Sequence, residues 1–181
     1  VKYKVTSTTK KTVTAVKGTD KNATSISLAS TVRIKGETCK VTKIETKAFY
    51  KYTKLKDIYI SRYVTSIGKS SFQGCTKLSR VTIGKSVTSI GESAFNGCTA
   101  LKEIAIGKKV SKIGKKAFYN CKNLKKVQYL ATAVKKIDTQ AFKKTNAKMT
   151  VTVPKGTSTK TRNSIKSMMI KAGMNKKATV K

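Results

Sequence analysis

The chain contains no histidine, so the usual general base and commonest metal ligand are both missing. Acid–base work would fall to Asp20, Glu37, Glu45, Asp57, Glu92, Glu103 and Asp138. Of these, Asp57 and Glu103 recur at a shared position of the repeat described below, two coils apart. Two parallel-strand spacings would hold them about 10 Å apart, near the separation of an inverting carboxylate pair. Arg80 falls midway between them and would keep both ionised rather than raise one pKa. The nucleophile candidates are Cys39, Cys75, Cys98 and Cys121, the last three spaced by 23 residues. Stacked thiols at strand spacing could form a disulfide or a three-thiolate metal site, but their spacing is unlike that of zinc motifs. The reading preferred is a column of small buried side chains. Ser–Lys pairs follow from the abundance of both residues, and no glycine-rich phosphate loop is present. The sequence therefore predicts no catalytic residues, no metal and no cofactor.

What positions these residues is a repeat. All five phenylalanines, Phe49, Phe72, Phe95, Phe118 and Phe142, fall at intervals of 23, 23, 23 and 24. Other columns keep the same period: Val41, Val64, Val87, Val110 and Val134; Ile44, Ile67, Ile90, Ile113 and Ile137; Leu55, Leu78, Leu101 and Leu124. A period of this length signals a stacked array in which each unit buries its apolar face on its neighbours. Within a unit, LSRVTI (78–83) places Val81 and Ile83 on one side of a short strand, with Arg80 and Thr82 on the other. The segment around each Phe supplies a short helical or irregular turn opposite the strand.

The pattern I-G-x-x-A-F-x-G-C-x-x-L-x-x-I/V-x-I runs nearly whole through 67–83 and 90–106, and through 113–129 with Asn120 for the second glycine. It resembles the bacterial BspA-like (Treponema pallidum-type) class of leucine-rich repeats over roughly 41–156. The first unit departs with Glu45 and Tyr52, the last with Asp138 and Thr145, as worn terminal units would. The resemblance implies an α/β repeat fold, a right-handed leucine-rich-repeat solenoid of about five coils. It also implies a bacterial cell-surface or secreted protein that adheres to host proteins or other cells.

Residues 1–40 alternate apolar and polar side chains between turn-rich segments and read as a β-rich N-terminal cap. Residues 41–156 form the solenoid. Residues 157–181 form a C-terminal cap with one helix, whose stripe Ile165, Met168, Met169 and Ala172 ends at Gly173. The whole is expected to be a single structural domain. The stripe could be a partner groove; it is read as the face that caps the stack.

Forty-one basic residues against seven acidic give a net charge of +34. Such an excess attracts polyanions. Only Arg33, Arg62, Arg80 and Arg162 are arginines, and this lysine bias favours diffuse electrostatics over sequence-specific nucleic-acid recognition. No stretch approaches the ~20 apolar residues of a membrane span. The chain begins at Val1 and is read as an excised or mature form, its targeting signal and anchor elsewhere.

In a repeat protein, function is sought in the columns that vary. Asp57, Arg80, Glu103 and Lys126 alternate in sign and predict a ladder of ion pairs, or a charged stripe on the concave face. Beside them stand Tyr59, Thr82, Ala105 and Gln128. Asp57, Tyr59, Arg80, Thr82, Glu103, Lys126 and Gln128 are the candidate concave binding face. Arg62, Lys85 and Lys108 form a candidate basic row able to track a linear anionic polymer. More lysines crowd the later units, including Lys115, Lys116, Lys135, Lys136, Lys143 and Lys144. The leading expectation is a non-enzymatic, monomeric extracellular module binding a host or bacterial surface protein. The alternatives are charge-driven retention by an anionic cell-wall polymer, and a passive spacer presenting another domain.

Overall fold

Each phenylalanine is fully buried, and the rings stack coil upon coil at centroid distances of 5.2, 5.2, 5.4 and 5.2 Å with planes within 13° of parallel. Burying one such ring contributes about 1.5–3 kcal/mol, and the period lets each ring shield the next. The computed structural model describes residues 1–131 and 136–181, so Val134 and Lys135 lie outside the described residues.

The chain opens with β1 (Lys2–Ser7), β2 (Thr12–Lys17), β3 (Ser25–Ser27), β4 (Thr31–Ile34) and β5 (Glu37–Ile44). Each later coil adds two short strands: β6 (Asp57–Tyr59) and β7 (Ser66–Ile67); β8 (Arg80–Thr82) and β9 (Ser89–Ile90); β10 (Glu103–Ile106) and β11 (Lys112–Ile113); β12 (Lys126–Tyr129) and β13 (Lys136–Ile137). Then come β14 (Thr150–Thr152), α1 (Thr159–Lys171) and β15 (Thr179–Val180). One side of the solenoid is the column β2-β5-β7-β9-β11-β13, all parallel, with β1 antiparallel on β2 and β4 antiparallel on β5. The other side is β3-β6-β8 followed by β10-β12-β14-β15, again parallel. The terminal segments are therefore rungs of the same columns as well as covers. Ile26 pairs with Ile58, and Val151 pairs with Val180.

The arcs joining the two sides are runs of tight turns rather than helices. Alternate amides bond within the arc and to the next coil: Ala94 N reaches Gly91 O at 3.3 Å, Phe95 N reaches Ala117 O at 2.8 Å. Closing the turns this way demands left-handed backbone at two columns. Lys47, Ser70, Ser93, Lys116 and Gln140 form one; Lys51, Gly74, Gly97, Asn120 and Lys144 form the other. Asn120 can replace glycine in the second because asparagine tolerates that conformation. The first glycine of the motif answers a different need. A Cβ on Gly91 would lie 2.8 Å from the backbone of Gly68 one coil earlier.

Two polar columns stitch the stack. Thr65, Thr88 and Ser111 each donate a hydroxyl to the carbonyl one coil earlier at 3.0–3.3 Å. Cys75, Cys98 and Cys121 are buried free thiols whose Sγ lies 3.2, 3.3 and 3.1 Å from the carbonyls of Phe49, Phe72 and Phe95. These cysteines are packing and weak donors, as their column suggests. In α1, Ser158 caps the helix by accepting from Thr161 N at 3.2 Å. The helix buries Ile165 and Met169, with Met168 half-buried, and Ala172 O accepts from Phe142 N. The methionine stripe thus covers the last coil.

Candidate functional site

On β6, β8, β10 and β12 the middle residues Ile58, Val81, Ile104 and Val127 face the interior, which turns their neighbours outward. Parallel pairing sets Asp57 beside Arg80 and Tyr59 beside Thr82. It likewise sets Glu103 beside Lys126 and Ala105 beside Gln128. The seven candidate residues therefore lie on one strand face. Tyr59 is 48% exposed, large for an aromatic ring with no cover in the solenoid.

The predicted ladder of ion pairs is not continuous. Arg80 grips Asp57 through both carboxylate oxygens, and this hydrogen-bonded guanidinium holds the Asp57 carboxyl below the usual aspartate range. Among the described residues, Glu103 forms no ion pair with Arg80 or Lys126. For Arg80 the physical reason lies in the sheet, whereas nothing in the intact β10–β12 pairing explains the missing bond to Lys126. Between β8 and β10 no backbone hydrogen bond is made among the described residues, so the strand column divides there. Arg80 reaches back across the intact pairing to Asp57, and the opening lies on its other side.

The opening shows in the packing. Val81 and Ile83 are only half-buried, whereas Ile58, Ile60, Ile104 and Ile106 in the same two columns are buried. A Cβ on Gly84 would strike Ser61 O at 2.2 Å, but one on Gly107 would meet nothing within 4 Å. A cleft of about 290 Å³ lies over the gap, lined by Arg80, Val81, Thr82, Glu103, Ala105 and Gln128. A second, of about 510 Å³, shares Ala105 and is lined also by Ile83, Lys85, Lys108 and Lys109.

The basic row is thereby separated. Lys85 and Lys108 share this second cleft, but Arg62 lies over the Tyr63 ring at 4.8 Å, with the Lys40 ammonium 5.3 Å from the same ring. Sequence reasoning missed Lys109 and Ile83; the doubled lysine at 108–109, where the preceding coil has Lys85–Ser86, was the available signal. It also missed aromatic–cation groups on the arcs. Tyr119 is flanked by the ammoniums of Lys116 and Lys144, each 5.5 Å from its ring, and Tyr50 by those of Lys47 and Lys51. The Lys144 hydrogen bond lowers the Tyr119 phenol pKa.

Stacked parallel rungs, turn-built arcs and an outward strand face of variable residues define a leucine-rich-repeat solenoid, a class that typically serves as a binding scaffold. The BspA type leucine-rich repeat region model matches residues 40–170 in six copies, and the chain belongs to that family. Counting phenylalanines gives about five coils because the terminal units lack the full motif. The crystal structure of the T. pallidum leucine-rich repeat protein is similar, with 28% identity, a TM-score of 0.73, and coverage of 84% of this chain and 68% of that one. A leucine-rich repeat protein from Bacteroides capillosus is 30% identical over 65% of this chain and 86% of its own, with a TM-score of 0.59. One from Bacteroides ovatus is 26% identical over 84% of this chain and 45% of its own, with a TM-score of 0.60. No curated protein matches the chain. No helix among the described residues is long and apolar enough to cross a membrane.

Proposed function

We propose that the chain is a non-catalytic binding module of a bacterial surface protein, holding a host or bacterial surface protein on its strand face. The observation that carries this reading is Tyr59. It stands 48% exposed beside a bidentate Asp57–Arg80 pair, an aromatic anchor next to an ordered charge. Thr82, Glu103, Lys126 and Gln128 extend the same face and would supply the polar rim. Family membership supports the extracellular setting and the adhesive role, which belong to the same proposal, as does the monomeric state.

The competing reading is retention by an anionic wall polymer, favoured by the +34 charge. A salt series separates the two. The whole chain is tested against teichoic acid and against a panel of host matrix and bacterial surface proteins. Binding to one protein that persists at physiological salt and is lost on Tyr59→Ala with Gln128→Ala supports the strand-face module. Polymer binding that collapses with salt, with no protein retained, overturns it in favour of charge alone.

A further inference from the structure

The division of the strand column between β8 and β10 is confined to one side of the solenoid. Across the same coil junction Phe72 and Phe95 remain stacked at 5.2 Å, and β7 remains paired with β9. The two coils are thus clamped along the arc and the far sheet, and separated only where their strands meet the candidate binding face.

Three unmet chemistries converge at this opening. The facing backbone groups of Arg80–Thr82 and Glu103–Ile106 lack the ladder bonds that β6–β8 and β10–β12 both make. Val81 and Ile83 give up part of the burial their columns have elsewhere. Lys85, Lys108 and Lys109 line the second cleft, and these three appear in none of the ion pairs among the described residues. An inorganic polyanion would answer only the lysines, and a neutral glycan would leave them unanswered. An extended peptide answers all three. Its backbone offers donors and acceptors, and its side chains alternate at about 6.8 Å. One side chain can therefore enter the opening while acidic ones meet the lysines.

We propose that the opening between β8 and β10 takes an apolar side chain of an extended acidic peptide, whose carboxylates lie on Lys85, Lys108 and Lys109. This rests on the strand-face reading above and specifies its partner as an acidic, extended polypeptide segment. Ala105 lines both clefts, so a large side chain there takes up space the ligand's anchor would use.

The test is amide-resolved NMR of the whole chain titrated with a short peptide of alternating leucine and aspartate at physiological salt. The expected result is movement of the Val81, Ile83, Ala105 and Gly107 amides, with affinity falling about tenfold in Ala105→Trp and again in Lys85→Glu with Lys108→Glu. The lysine variant lies on the exposed surface and keeps the test valid if the tryptophan disturbs packing. A serine–aspartate peptide should bind more weakly and a leucine–lysine peptide should not bind. Equal binding by serine–aspartate peptide or polyphosphate, or shifts that avoid 79–84 and 102–109, overturns the inference. A partner lost on Tyr59→Ala but indifferent to Ala105→Trp would sink the cleft and leave the strand-face module standing. Loss of every salt-resistant partner would sink both.

Discussion

Arg80 holds Asp57 one coil earlier by two hydrogen bonds, Nε to Oδ1 at 2.5 Å and Nη2 to Oδ2 at 2.8 Å. Asp57→Asn is therefore expected to lower the melting temperature modestly at neutral pH, while Glu103→Gln leaves it unchanged. The sign with pH follows from the depressed Asp57 value. Its contribution is complete above the ordinary aspartate value of 3.8 and is lost as pH falls through the lower folded-state value. Melting temperature against pH on the acid side, for both variants, checks this. The difference should shrink in high salt because the pair is exposed.

Phe95 sits between two stacked neighbours in the middle of the buried column. Phe95→Ala should cost about 3–5 kcal/mol in urea unfolding, and Phe95→Leu distinctly less, because leucine refills most of the cavity. Equal losses would mean that ring stacking, not volume, dominates the column.

Two glycines at equivalent-looking turns should behave oppositely. Gly91→Ala forces a Cβ to 2.8 Å from the Gly68 backbone and should cost about 1–3 kcal/mol, since backbone must move. Gly107→Ala meets open space and should stay within about 0.5 kcal/mol of the parent. Chemical denaturation of the two variants measures both, and a costly Gly107→Ala would mean the coils close there in solution.

The thiols of Cys75 and Cys121 are pushed up to about 12 by burial, and Cys98 is raised for the same cause. None of the three should react with a thiol reagent near pH 8 in the folded chain, and all should react in denaturant. Above the ordinary thiol value of 9.0 the unfolded chain ionises while the folded chain does not, so stability should fall as pH rises further. Rapid labelling of the native protein would show that the arcs open far more often than their hydrogen bonding implies.

The repeat was readable because each coil must present the same side chains to the next, so Phe49 through Phe142 had to keep a common interval. The hydroxyl column of Thr65, Thr88 and Ser111 was equally visible in spacing, but polar columns are usually solvent faces and their spacing does not reveal a bond. Ile26 and Val180 join the strand columns but stand outside the period, the first 32 residues before its partner Ile58, so interval counting could not place them. The charged column was legible as residues and not as bonds. Alternating sign predicted partners for Glu103, but its bond to Arg80 depends on strand separation, and Val81, Ile83, Ile104 and Ile106 look like any other rung. Nothing in their types marks where a sheet divides.

Around each phenylalanine the backbone bonds between coils run from an amide in the earlier coil to a carbonyl in the later one, as Phe72 N to Ala94 O and Phe95 N to Ala117 O. The stack therefore has a polarity, like a chain of hooks and eyes. A duplicated unit arrives with its hooks and eyes already on the correct sides, so gene duplication can lengthen such a rod by whole units without redesigning either neighbour. An added single residue, as in the 24-residue interval from Phe118 to Phe142, must be absorbed between arcs.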